Sequence, residues 1–269
     1  MVQSSLPLSV ANTTTTTRSK PPTRPIPFPL RIQTITPSPL LAQQPWLADL
    51  TRMINDSFAK PATTDIKFSA DRLHTNTQLI EELGEKASTV VAFDESSSLS
   101  TGGLTEGETP TNYIVGTASI KDWVDDGLWL PVPPQALSSS SSLPLGDTGA
   151  PFICPGDLEI SIVAVRPGVE YRKRGIAEKL VRECEQEAIR RMKQDVQSHQ
   201  NQEQRDGGPL RIRLMVKVVK EMNGPYWLNR GFEIIGQRFC PTGMWGANID
   251  FTLWAMVKVL IVQNLKNDD

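Results

Sequence analysis

Apolar and polar positions along the chain follow two periods. Leu30-Arg31-Ile32-Gln33-Thr34-Ile35 alternates, the pattern of a half-buried strand. Trp46, Leu47, Leu50, Met53, Ile54 and Phe58 fall on one stripe and predict a helix of about four turns. Thr77 to Leu83 predicts a short helix stopped by Gly84, and Thr89–Phe93 and Tyr113–Ile120 predict two neighbouring strands. Beyond Pro155 the pattern predicts a strand over Leu158–Val165, a helix from Gly175 to Met192 and a strand over Leu210–Val219. A short helix around Tyr226–Arg230 and two closing strands, Phe232–Phe239 and Ile249–Val262, complete the chain. Strands outnumber helices and the second half alternates. This predicts an α/β fold: a mixed, mostly antiparallel twisted sheet flanked by helices.

Polar stretches interrupt these elements. Residues 1–24 hold the run Thr13–Thr17 and the pair Pro21-Pro22, which favour an unstructured tail. Residues 1–48 contain four basic residues, no acidic ones and nine of the 21 prolines. Poverty in acids is a transit-peptide trait, but the prolines and threonines oppose the amphipathic helix such a peptide needs. Polar insertions are expected at 94–112, 131–155 and 194–208, which leaves 25–269 as one domain. The segment 94–112 has four acids, no bases and three glycines, as a solvated hairpin loop would.

Composition narrows the chemistry. Of 269 residues, 28 are basic and 30 acidic; the net charge of −2 argues against a dedicated nucleic-acid binder. Removing residues 1–48 leaves 24 bases against 30 acids. Three cysteines (Cys154, Cys184 and Cys240), with no close pair, exclude a disulfide framework and suit a reducing interior. A cytoplasmic or nuclear location is therefore expected. Cys184 falls on the predicted buried helix face and is expected to be a core residue. With two histidines, His74 and His199, no metal site is expected. The apolar run Phe251–Val262 contains Lys258 and is too short to span a bilayer, so no membrane partner is expected.

The segment with chemistry is Glu159-Ile160-Ser161-Ile162-Val163-Ala164-Val165-Arg166-Pro167, followed by Arg172-Lys173-Arg174-Gly175-Ile176-Ala177. A buried strand ends at Pro167, a cationic turn follows, and Gly175 opens a helix. Unpaired N–H groups and the positive dipole end at a helix N-terminus favour an anion, and glycine admits it closely. Together these predict a pyrophosphate site. The P-loop and dinucleotide fingerprints are both absent.

Val165-x-Pro167 leading to Arg172-x-x-Gly175-x-Ala177 resembles the acyl-CoA-binding signature of the GNAT superfamily of N-acetyltransferases. Asn223-Gly224-Pro225-Tyr226-Trp227-Leu228-Asn229-Arg230-Gly231-Phe232 is similar to its second signature, which ends in Gly-Phe, and Val115-Gly116-Thr117-Ala118 to the strand before the cofactor strand. The resemblance covers about residues 30–262. Gly243-Met244-Trp245-Gly246-Ala247 resembles fungal members of unassigned substrate. The resemblance implies acetyl-CoA as co-substrate, no metal, and an amine acceptor. The pyrophosphate would lie on the amides of Arg172, Lys173, Arg174, Gly175, Ile176 and Ala177. Val163, Ala164 and Val165 would line the pantetheine arm, with the Val163 amide polarising the thioester, and Asn223 would match the family asparagine. The strands Glu159–Val165 and Leu210–Val219 would splay apart to admit the arm.

Glu159 is the implied general base, at the place where histone acetyltransferases carry theirs; Asp157 and Glu221 are reserves. The turn from Pro167 to Arg172 is about two residues longer than the family's. Trp227 occupies the place of the family's tyrosine acid, and indole cannot serve as an acid. Tyr226 is then the candidate, though it points about 100° away on a helix. The first helix and the final strand pair, with Trp245 and Trp254, would line the acceptor cleft. Three functions follow from the resemblance: acetylation of a small-molecule amine, acetylation of a protein lysine or N-terminus, or a non-catalytic CoA-binding module. Oligomeric state is not encoded in these motifs.

Overall fold

The computed structural model describes residues 29–59, 65–69, 71–96, 114–132, 156–198 and 210–262. The expected tail at 1–24 lies outside these, as do most of the insertions. Seven strands form one sheet: β1 (Leu30–Ile35), β2 (Ser88–Asp94), β3 (Ile114–Asp122), β4 (Leu158–Val165), β5 (Leu210–Val219), β6 (Glu233–Cys240) and β7 (Phe251–Val262). Their order is β1-β2-β3-β4-β5-β7-β6. Every neighbouring pair is antiparallel except β4 and β5. The expected fold class is therefore borne out.

Helices cover both faces. α1 (Leu47–Ala59) and α2 (Gln78–Leu83) lie on one face; α3 (Ile176–Ser198) and α4 (Lys220–Leu228) lie on the other. The sheet's alternation sorts the core between them. Val90, Ala92, Ile120, Ile160 and Leu214 pack toward α3, whose buried stripe is Ile176, Leu180, Val181, Cys184 and Ala188. Val91, Phe93, Ile114, Ile162 and Ala164 pack toward Leu50, Met53 and Ile54 of α1. Cys184 is a core residue, as expected, and its burial pushes the thiol well above its ordinary pKa.

Several boundaries differ from expectation. β2 runs through Asp94, whose buried carboxylate accepts from the N–H and hydroxyl of Ser96, so the insertion does not begin at 94. α3 continues to Ser198, into the stretch expected to be an insertion. A 3-10 helix at Ser38–Gln43, missed in the pattern, bridges β1 and α1. The largest difference is α4, which begins at Lys220 rather than near Tyr226. Gly224 and Pro225 disfavour a helix locally. Packing overrides them: a Cβ on Gly224 would stand 2.7 Å from the Trp254 ring, and Glu221 Oε2 accepts the Thr252 N–H at 3.2 Å. The helix is thus seated on the start of β7.

Gly116 on β3 sets how closely α3 approaches the sheet. A Cβ there would lie 2.9 Å from Leu180 Cδ1, 3.0 Å from the Ala164 carbonyl oxygen and 3.2 Å from Ile176 Cγ2. Gly116→Val is expected to lower unfolding stability by about 1–3 kcal/mol, the usual cost of overpacking, measured by chemical denaturation. An unchanged midpoint would show that α3 can back away freely.

Candidate active site

The parallel pair β4–β5 is joined only at its beginning. Leu158 pairs with Leu214 and Glu159 with Met215; past that point the two strands part. β5 stays fully paired to β7 on its other edge, and β4 to β3. A gap therefore opens toward the C-terminal ends of β4 and β5. The β4 backbone groups facing it have no strand partner, and buried groups of that kind must find water or a ligand.

β4 is also bulged. Ile162 has φ 50°, and Ile162 and Val163 together oppose the single residue Ala118, between the pairs Thr117–Ala164 and Ser119–Ser161. A β-branched residue at positive φ is a strained outlier, of the kind that collects at functional sites. A bulge re-aims the backbone beside it. Here that backbone is Val163, Ala164 and Val165, the three positions expected to line an acyl-CoA arm. The Val165 carbonyl is already used, accepting from Ser57 Oγ of α1 at 2.9 Å.

Both strands lead directly into helix N-termini at the open end. After β4 the chain passes through Pro167–Gly175. The Gly168 carbonyl accepts from the Tyr171 and Arg172 amides at 3.2 and 3.1 Å, so the loop's extra residues form a turn of their own. Lys173 (φ 57°) and Gly175 (φ 81°) are left-handed, and α3 starts at Ile176. Such alternating turns make successive amides converge into anion-binding concavities. Arg172 and Lys173 are exposed and Arg174 is half-buried. The Ile176 side chain is buried in the core, so only its amide can face a ligand; Ala177 is half-buried beside it. After β5, α4 starts at once. Asn223 stands exposed on it.

Glu159 sits where the gap closes, on the α1/α2 face. It is 4% exposed, Oε2 has no hydrogen-bond partner, and Lys217 Nζ of β5 is 3.5 Å away. Burial raises its pKa above the ordinary carboxylate value; Lys217, Lys121 and Arg72 offset this only in part. Around it lie Trp123 and Trp129, stacked at 6.3 Å, with Met215 and Ala255 beneath. The segment 123–130 straps this face: Leu130 bridges to Gln237 of β6, and Trp123 N–H donates to the Asp157 carbonyl at 3.0 Å. The reserve carboxylates have other partners. Asp157 is paired with Arg213 at 3.1 Å, and Glu221 holds the Thr252 amide.

Tyr226 lies on the opposite, α3 face. Its ring carries the Arg230 guanidinium at 4.3 Å, and Arg230 pairs with Glu178 in the first turn of α3 at 3.3 Å. The hydroxyl is buried without a hydrogen-bond partner, and burial raises its pKa, with Arg230 partly opposing. Trp227 is 4% exposed and packs on Phe232 at 4.9 Å, so it is a core residue. Trp254 faces α4, not the Glu159 face, which corrects its expected place in the acceptor cleft. Trp245 has φ 54°, is 58% exposed and leans on Phe251 at 5.7 Å, on the same face as Glu159.

Lys217, Trp123, Trp129, Lys121, Arg72 and Glu82 were not singled out from sequence. One signal was present: Lys217 interrupts the apolar run Leu214-Met215-Val216-Lys217-Val218-Val219 of a central strand.

No family model matches the chain, and no curated protein matches it. Solved structures do. An acetyltransferase of the GNAT family from Streptococcus pneumoniae aligns at TM-score 0.44 and 13% identity, over 87% of this chain and 99% of its own. Arabidopsis thaliana NAA60 in complex with acetyl-CoA aligns at 0.43 and 14%, over 86% and 99%. The ribosomal-protein-alanine N-acetyltransferase of Brucella melitensis aligns at 0.39 and 18%, over 86% and 99%.

A buried hydroxyl without a partner costs about 1–3 kcal/mol. Tyr226→Phe is accordingly expected to keep or raise the unfolding midpoint, read by thermal or chemical denaturation. A clear fall would mean that the hydroxyl is satisfied in the free protein.

Proposed function

We propose that this chain is a GNAT-type N-acetyltransferase that moves the acetyl group of acetyl-CoA to a primary amine of a small molecule. The observation that carries the reading is the parted β4–β5 pair, with a bulge at Ile162 and a cationic turn entering α3. The pyrophosphate is assigned to the amides from Arg172 to Ala177, and the pantetheine arm to the free edge of β4. Both fit the residues present: the turn is basic, Gly175 has no side chain to obstruct a phosphate, and the β4 edge needs hydrogen-bond partners.

In this reading the Val163 amide faces the thioester carbonyl and stabilises the charge that grows on it during attack. An alkyl ammonium near pKa 10.4 must first lose a proton, at a cost of about 4–5 kcal/mol at pH 7. Glu159 takes that proton, directly or through a water. The amine attacks, the C–S bond breaks, and the thiolate leaves toward the α3 face, where the Tyr226 hydroxyl can protonate it; the second proton, shed by the nitrogen as it becomes an amide, restores the tyrosine through water. The strap over Trp123–Leu130 and the bridge from Phe68 to Ala247 roof the Glu159 face, which favours a small acceptor.

Calorimetric titration should show acetyl-CoA binding, and Gly175→Asp should weaken it at least about tenfold by setting a carboxylate against phosphate. Undiminished affinity would overturn the phosphate assignment. Release of free thiol is to be measured against a panel of alkyl amines, amino acids, basic peptides and peptide N-termini. Turnover of peptides alone would make this a protein acetyltransferase; binding with no turnover would make it a CoA-binding module.

Glu159→Gln is expected to lower kcat by about 10²–10⁴-fold. The raised pKa of Glu159 gives the sign of the pH dependence. The working form is the carboxylate, so activity falls as pH drops through a midpoint above the ordinary value of about 4.3. The Gln variant should lack that limb.

A further inference from the structure

Three cations bear on Glu159 from the elements packed around it: Lys121 from β3, Lys217 from β5 and Arg72 from the segment before α2, with Glu82 of α2 behind two of them. Two of the three cations are held by Glu82. Arg72 donates to both of its carboxylate oxygens, at 2.7 and 2.5 Å, and Lys121 Nζ donates to its backbone carbonyl at 3.1 Å. Burial alone would raise the Glu82 carboxyl, yet the hydrogen bond and charge of Arg72 hold it below its ordinary value, as a carboxylate committed to a cation should be. Asp157, two residues before Glu159, is likewise committed to Arg213.

Lys217 is placed differently. It lies two residues past the Glu159–Met215 pair, on the stretch of β5 that has already left β4. Its head is fixed from two further sides, by the Val124 carbonyl at 3.2 Å and the face of Trp123 at 4.7 Å. Both groups belong to the strap that roofs this face. The ammonium is therefore held 3.5 Å from a buried oxygen of Glu159, a charge contact at the long end of hydrogen-bond distance.

We infer that Lys217 is a positioning residue: its ammonium, seated by Trp123 and Val124, is the counterion that keeps Glu159 charged. The inference deepens the reading of Glu159 as the base and rests on it. An acidic side chain this deeply buried would otherwise hold its proton at neutral pH and be useless as an acceptor.

The test reads protonation without turnover. In protein labelled with 13C at the glutamate carboxyl, the signal lost in Glu159→Gln reports Glu159. Lys217→Gln should raise its titration midpoint by about one pH unit or more, and Lys217→Arg should restore it. Lys121→Met should move it less. An unmoved midpoint in Lys217→Gln, or an equal or larger shift in Lys121→Met, overturns the inference. If Lys217→Gln fails to fold, Lys217→Met is read in its place by the same carboxyl signal, and an unmoved midpoint overturns the inference. The turnover of Glu159→Gln tests the base itself, so failure of the base and failure of its counterion are told apart.

Discussion

Two strands that run parallel, pair for two residues and then part constrain everything else in this molecule. Interior strands normally satisfy their backbone along the whole length, because an unpaired buried amide or carbonyl costs about 1–3 kcal/mol. The sheet survives the break because each strand is secured from its other side. β5 is paired to β7 from Leu210 to Val219, and β4 to β3 around the bulge. The helices fill the space above. Because β4 and β5 point the same way, the helices that follow them begin at the same end of the sheet, beside the opening. The gap, the free strand edge and the two helix N-termini are thus one consequence of a single topological fact.

The closed end of the gap is equally determined. Glu159 is the last residue of β4 to pair with β5, so its side chain sits where the sheet is still continuous and water is scarce. A buried carboxylate needs opposing charge, and the surrounding elements supply three cations. Glu82 orders that cluster: it engages Arg72 and Lys121 and leaves Lys217 facing Glu159. The strap from Trp123 to Leu130 then gives the cluster a lid of indole rings and one carbonyl. The strap also seats the partly exposed Lys217, through the Val124 carbonyl and the Trp123 ring, on the side of Glu159.

How much of this was legible in the sequence depended on the range of the interaction. β1, α1, α2, β4 and β5 follow local periodicity and lie within a residue or two of where the pattern puts them. The cationic turn and Gly175 could also be read, because a strand–turn–helix is a local object. α4 could not: Gly224 and Pro225 break a helix by propensity, and only the approach of Trp254 from β7 explains why it persists. The bulge at Ile162 breaks no pattern in the sequence, since Ile160 and Ile162 look like ordinary alternation although they face opposite sides of the sheet. Strand partnership decided the rest. Trp254 and Trp245 look alike in sequence, but the parity of β7 sends Trp254 under α4, while the turn before β7 lays Trp245 on Phe251, on the Glu159 face. The Glu82 cluster joins residues from four separate elements, and no spacing along the chain encodes that.

The second signature becomes intelligible in the same terms. The place where the resemblance expects a tyrosine holds Trp227, and its indole is locked against Phe232 in the core. A tyrosine at that position would bury its hydroxyl there too, away from the gap. One residue earlier, about 100° around the helix, Tyr226 is held by Arg230, which is itself tied to Glu178 in the first turn of α3. The ring is thereby linked to the helix whose N-terminus opens on the gap. Burial raises the hydroxyl's pKa further above neutral, with Arg230 partly opposing, and in the proposed reading this protonated hydroxyl is the donor to the thiolate. Glu159 and Tyr226 stand on opposite faces of the sheet, and the break between β4 and β5 is the route that joins those faces. In the proposed reading, a thioester lying in the break has its proton acceptor on one side of the sheet and its donor on the other, an arrangement that a continuous sheet could not offer.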